Sequence, residues 1–187
     1  TGSNTTDPSL NSGYVDFPNH IISPLVNVTY EAWATWLGAG DWQRIFDFGI
    51  SNGGEDRSWN EGSYMFLNAQ PWRFAVRDIP ANGEPVSLNP GGGMPGSSEF
   101  YMTATYDFTA NVSRIYTNGV LAGSGTAPVQ LNTINDVNNW LGRSQWSGDA
   151  NMQGEFDEFR IYDRLLTPEE MAAFVKSYTK QGARVEY

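Results

Sequence analysis

The chain has 187 residues, enough to bury most of its apolar surface in one domain, and 21 acidic against 11 basic residues give it a net charge of −10. That charge argues against partners with phosphate backbones and against anionic lipid surfaces, and no apolar run approaches the ~20 residues that span a bilayer. Cysteine is absent, which removes disulfides, thiolate metal sites and a cysteine nucleophile, and there is one histidine, His20.

Residues 1–12, TGSNTTDPSLNS, are small and polar and read as a loose leading segment before a single domain over 13–187. The first residue is Thr1, not Met, so we expect a processed secreted protein or a segment of a longer one. Asn4, Asn27 and Asn111 each open a glycosylation sequon, which would matter only in a eukaryotic source.

From Gly13 onward, runs rich in β-branched and aromatic residues recur. They cover 14–17, 28–37, 44–50, 64–68, 73–77, 100–106, 113–117, 120–122, 140–142 and 156–162. Short strands at this spacing mean an all-β sandwich or barrel. Asn118-Gly119 between two such runs predicts a tight hairpin, because both residues tolerate positive φ. The stretch 79–98 is rich in proline and glycine and is expected to be a long surface loop; 51–62, polar apart from Trp59, is a second.

One helix is expected. Thr167 supplies an N-cap, Pro168 suits the first helical position, and Glu169 and Glu170 lie over the positive helix end. Met171, Phe174, Val175 and Tyr178 follow at helical spacing, so this short C-terminal helix should run to about Tyr178 and pack on the sandwich.

In 156–161 the apolar residues Phe156 and Phe159 are separated by two acids where strict alternation has room for one. The spacing predicts a β-bulge at this point. Asp157 within it is the first candidate for a calcium ligand, assisted by backbone carbonyls and by Asp16, because calcium collects six to eight hard oxygens from scattered positions. The competing reading is a carboxylate that accepts hydrogen bonds from loop amides and holds no ion.

A sugar presents C–H faces that stack on aromatic rings, and hydroxyls that bond to polar side chains. Trp59 with Arg57 and Asn60, Trp146 with Arg143, and Trp72 are the ligand-contact candidates; Trp42 is a further one at a loop edge. The competing reading, favoured for any one of them taken singly, is that the tryptophan caps an end of the sandwich. Trp33, inside a strand, is expected to be structural.

Four stretches together carry a family resemblance: 13–18 (GYVDFP), 28–33 (VTYEAW), 44–49 (RIFDFG), and the closing 141–144 (LGRS) with 154–162 (GEFDEFRIY). In this order the chain resembles the concanavalin A-like, laminin-G-like superfamily over about 13–178. The resemblance implies a jelly-roll β-sandwich of two antiparallel sheets that binds carbohydrate, and less often protein, through loops or a concave face. Some relatives hold a structural calcium ion.

Sandwich glycosidases of that superfamily carry Glu-x-Asp-x-Glu or Glu-x-Asp-x-x-Glu on one strand. Here Glu155 and Asp157 are followed by Phe159 and Arg160 where the second glutamate would stand, so the acid–base partner is missing. Nor does His20, in a Pro-Asn-His loop with no G-x-S-x-G sequence, point to a Ser-His-Asp triad. The sequence therefore reads as a non-catalytic, lectin-like module of a secreted, periplasmic or surface protein. It would bind a polysaccharide or oligosaccharide beside other domains of a larger chain; the rival reading is a protein-interaction or adhesion module.

Overall fold

The computed structural model describes residues 13–38, 40–60, 62–79 and 83–182. Eleven strands and one helix make up those residues: β1 Val15–Phe17, β2 Asn27–Trp36, β3 Gln43–Ile50, β4 Ser63–Gln70, β5 Arg73–Arg77, β6 Val86–Leu88, β7 Glu99–Asp107, β8 Val112–Thr117, β9 Val120–Gly125, β10 Asn138–Leu141, β11 Gly154–Tyr162 and α1 Pro168–Gly182. All the pairings between these strands are antiparallel. One sheet has the order β1-β10-β3-β4-β5-β6, the other β11-β2-β7-β8-β9.

Period-two alternation decides which side chains meet between the sheets. On β2, Val28, Tyr30, Ala32 and Ala34 point inward; on β7, Phe100, Met102, Ala104 and Tyr106 do the same. They meet Phe46 and Phe48 of β3, Met65 and Leu67 of β4, and Phe74 and Val76 of β5. Tyr30 lies 4.5 Å from Phe46, centroid to centroid, and Phe46 lies 5.0 Å from Phe48. Offset and edge contacts of this kind add to the area they bury.

The bulge expected in the last strand is present: the β2 register jumps between Phe156 and Glu158, leaving Asp157 as the extra residue. Phe156 and Phe159 both pack on the main core in consequence. The hairpin between β8 and β9 turns at Asn118 (φ 48°) and Gly119 (φ 77°), both in the left-handed region that a two-residue turn of this hand demands.

The stretch 79–98 is less irregular than its composition suggests. Val86 and Leu88 form a short edge strand whose side chains enter the core, and Met94 is buried beneath the rest. Three residues of alternation are too few to register in the sequence. β9 likewise runs three residues past its expected end, to Gly125, and a 3-10 turn at Leu131–Thr133 was not foreseen.

The helix closes one outer surface. Thr167 Oγ1 accepts from the Glu170 amide at 3.2 Å, and Glu170 Oε2 accepts from the Thr167 amide at 2.8 Å, a reciprocal capping box. From this start α1 continues to Gly182, past the expected end near Tyr178. Met171, Phe174, Val175 and Tyr178 cover Trp33, Tyr101 and Tyr116 on the outer face of the five-stranded sheet. Trp33 is structural as expected, but it stacks on Tyr178 at 4.0 Å under the helix and does not lie between the sheets. Beneath the same helix the buried Glu31 carboxylate accepts from Tyr101 (2.9 Å) and Tyr162 (3.1 Å) and pairs with Arg160.

Candidate functional site

With one outer sheet face under α1, the outer face of the six-stranded sheet is the remaining broad surface. Its strands place aromatic and charged side chains there: Arg44 and Asp47 on β3, Tyr64, Phe66 and Asn68 on β4, Arg73 on β5, Asn138 and Trp140 on β10. A cleft of about 270 Å³ opens above them, lined by Arg44, Tyr64, Phe66 and Arg73 from the strands and by Trp42, Glu84, Trp146 and Asp149 from loops.

Arg44 forms the floor. Its guanidinium, 2% exposed, donates to Asp47 at 3.1 Å, to Asn68 Oδ1 and the Trp42 carbonyl at 2.7 Å each, and pairs with Asp149 at 3.0 Å. The same group lies 4.2 Å from the Phe66 ring centroid and 5.0 Å from that of Trp146. Trp146 meets Tyr64 and Phe66 edge-on, at 4.9 and 5.8 Å, so the ring is fixed from below and its remaining surface faces the cleft. Arg73 pairs with Glu84 and donates through Nε to Ser87 at 3.2 Å.

Burial raises the carboxyls around this floor. Asp47 is pushed up to about 7 by desolvation, against the lowering pull of Arg44 and of the Gln145 amide. Desolvation also raises Asp149 and Glu84, each opposed by its arginine partner.

Two of the candidate tryptophans are brought together by backbone pairing. The Trp59 amide donates to the Gln145 carbonyl at 2.8 Å, and the Ser147 amide donates to the Trp59 carbonyl at 3.1 Å, a short parallel bridge between the 51–62 and 143–151 loops. Trp59 is exposed beside this bridge and Trp146 reaches the cleft. Arg57 and Asn60 are also exposed; Asn60 Oδ1 accepts from Asn52 Nδ2 at 3.0 Å and so closes its own loop.

Arg143 and Trp72 are both buried. Arg143 is 2% exposed, with its guanidinium 3.9 Å from the Trp140 ring centroid and hydrogen bonds to Ser58 Oγ and the Asp56 carbonyl at 3.1 Å each. It braces the 51–62 loop from inside. Trp72 is 4% exposed and meets Phe100 edge-on at 5.4 Å within the main core. A tryptophan that follows proline at a turn reads as a loop edge, yet the reversal into β5 carries this one inward.

Asp16 and Asp157 lie on different sheets, on β1 of the six-stranded one and β11 of the five-stranded one. Asp16, on β1, feels Asp56 and Arg143 and is raised by desolvation first. Asp157 is exposed at the bulge of β11, and its charge bears on Tyr178 of the helix. Among the described residues no group of three or more His, Cys, Asp or Glu side chains is placed to hold a metal ion. His20 lies in a loop, 3.5 Å from Asp136.

The strand residues of the cleft were missed in the sequence. Their signal was nonetheless there: in β4 Tyr64 and Phe66 alternate with Met65 and Leu67, so the strand is apolar on both faces, while Arg44 and Arg73 flank it. A sheet strand with large side chains on its outer face needs either a cover or a ligand.

Two antiparallel sheets around one core, with an aromatic cleft above the outer face of the six-stranded sheet, define a jelly-roll β-sandwich. The chain belongs to the concanavalin A-like lectin/glucanase superfamily, whose laminin-G model matches residues 9–172. No match is found among curated proteins. Among solved structures, domain 4 of an extracellular arabinanase from Geobacillus stearothermophilus, in complex with arabinotriose, superposes with a TM-score of 0.69 at 19% identity, over 88% of this chain and 73% of that one. The CBM40 domain of the Ruminococcus gnavus IT-sialidase, bound to α2,3-sialyllactose, gives 0.67 at 15% identity, over 93% and 100%. The NanB sialidase of Streptococcus pneumoniae gives 0.68 at 15% identity, where this chain covers 92% of its own length and 28% of the sialidase.

Proposed function

We propose that this chain is a non-catalytic carbohydrate-binding module that holds an oligo- or polysaccharide in the cleft over the six-stranded sheet, as one part of a secreted or surface protein. The observation that carries the reading is the cleft itself: Trp146 and Trp42 stand at its walls above Tyr64 and Phe66, with charged groups between them for hydroxyls. The superfamily and the oligosaccharide complexes of two structural neighbours support it.

Exposed large apolar side chains lend no weight to a protein-docking role. Apart from the neighbours Val120 and Leu121 on β9, the exposed Val15, Val26, Leu37 and Ile79 come from separate parts of the chain. A glycan array followed by calorimetric titration tests the reading: binding to at least one oligosaccharide, weakened about thirtyfold in Trp146→Ala, is expected. An array with no binder overturns it. Calcium at Asp157, completed by backbone carbonyls, is a separate proposal. A chelator that lowers Tm supports it, since an ion bound only to the native state stabilises that state, and an unchanged Tm removes it.

A further inference from the structure

We infer that the ligand of this cleft is a neutral sugar and not an acidic one, an inference that rests on the carbohydrate-binding reading above. The two cations lining the cleft are both spent on the protein. Arg44 is 2% exposed and held by Asp47 and Asp149, at 3.1 and 3.0 Å. Arg73 is paired with Glu84, and its Nε donates to Ser87.

Each of the two lining cations therefore faces a carboxylate of the same lining, Asp149 or Glu84, and the lining holds no positive excess to receive a sialic or uronic carboxylate; Arg77, opposite Tyr64 on β5, lies on the same face outside that lining. Such a group would have to displace Asp149 or Glu84 from its arginine, or lie beside them as a like charge, and either event weakens binding. Neither adjacent loop makes up the deficit: the exposed Arg57 follows Glu55 and Asp56 in sequence, and the rest of the molecule adds to a net charge of −10.

A neutral sugar suits the same groups. Its hydroxyls both donate and accept, so they can bond to the remaining oxygen of Asp149 without separating its ion pair, while Trp146 and Trp42 take the C–H faces. Two structural neighbours, one bound to arabinotriose and one to sialyllactose, share this fold, so the fold leaves the charge of the ligand open and the ion pairs decide it.

The test is a titration panel on the intact chain in which neutral oligosaccharides are matched with acidic counterparts: arabinotriose, cellotriose and lactose against 3′-sialyllactose and a galacturonate trimer. Binding of one or more neutral members, with acidic members at least about tenfold weaker, is expected. In Glu84→Gln, which releases Arg73, the acidic members should gain several-fold on the neutral ones. Acidic sugars bound as well as or better than neutral ones would overturn the inference while leaving the carbohydrate-binding reading intact. An unchanged ratio in Glu84→Gln would overturn the charge argument behind it. A panel with no binding at all would overturn both.

Discussion

Asp47→Asn offers a direct check on the electrostatics of the cleft floor. Burial raises the Asp47 carboxyl from 3.8 to about 7, so the folded protein holds this proton more tightly than the unfolded chain. The resulting stabilisation is complete below about pH 4 and is lost as pH climbs through about 7. Between pH 5 and pH 8 the loss comes to about 3 kcal/mol by linkage. For a chain of this length that is a fall in Tm of roughly 5–10 °C. The asparagine keeps an oxygen for the Gln145 amide, which now donates to Asp47 at 3.0 Å, and leaves Arg44 its pairing with Asp149. Asp47→Asn should therefore flatten the Tm–pH curve over that window, with its largest relative gain at pH 8. The assay is differential scanning fluorimetry of both proteins from pH 4 to pH 9. Parallel curves for the two proteins would refute the reasoning, because they would mean that Asp47 titrates in the folded state as it does in the unfolded chain.

Other parts of the account are open to equally plain measurements. Met171→Ala removes the fully buried anchor of α1 and should cost about 2–4 kcal/mol, seen as a lower denaturant midpoint together with a red shift of Trp33 fluorescence; a cost under about 1 kcal/mol would mean that the helix is not docked as described. Gly49→Ala would set a Cβ 2.0 Å from the Ser63 carbonyl oxygen on the paired strand, so little folded protein should be recovered, and a stable variant would contradict the β3–β4 register. Arg143→Ala should lower Tm by loosening the 51–62 loop while leaving glycan Kd within about threefold, measured by melting and titration; a large loss of affinity without loss of Tm would return Arg143 to the contact surface.

Much of the sandwich was legible because alternation and turn chemistry are local. Asn118-Gly119, the Thr167 cap and the extra acid between Phe156 and Phe159 each announced its structure within a few residues. The short strand Val86–Leu88 did not, since its pairing with β5 is made across the sheet and its alternation is too brief. Of the candidate contacts, Trp146 and Trp59 lie where their loops suggested, joined by a bridge no local pattern could announce. Arg143 and Trp72 share the composition of exposed sites but turn inward, and burial depends on partners distant in sequence: Ser58 for the arginine, Phe100 for the tryptophan. Arg44, Phe66 and Arg73 meet on one face only when β3, β4 and β5 pair, so the cleft they share is a property of the sheet.

The most direct test of the central claim is isothermal titration of the chain and of Trp146→Ala with the best oligosaccharide from the array. The cleft reading predicts saturable one-site binding whose affinity falls by on the order of 2 kcal/mol, about thirtyfold, when the indole is removed. Equal affinity in both proteins, at unchanged Tm, would place the sugar somewhere other than this face and contradict the account.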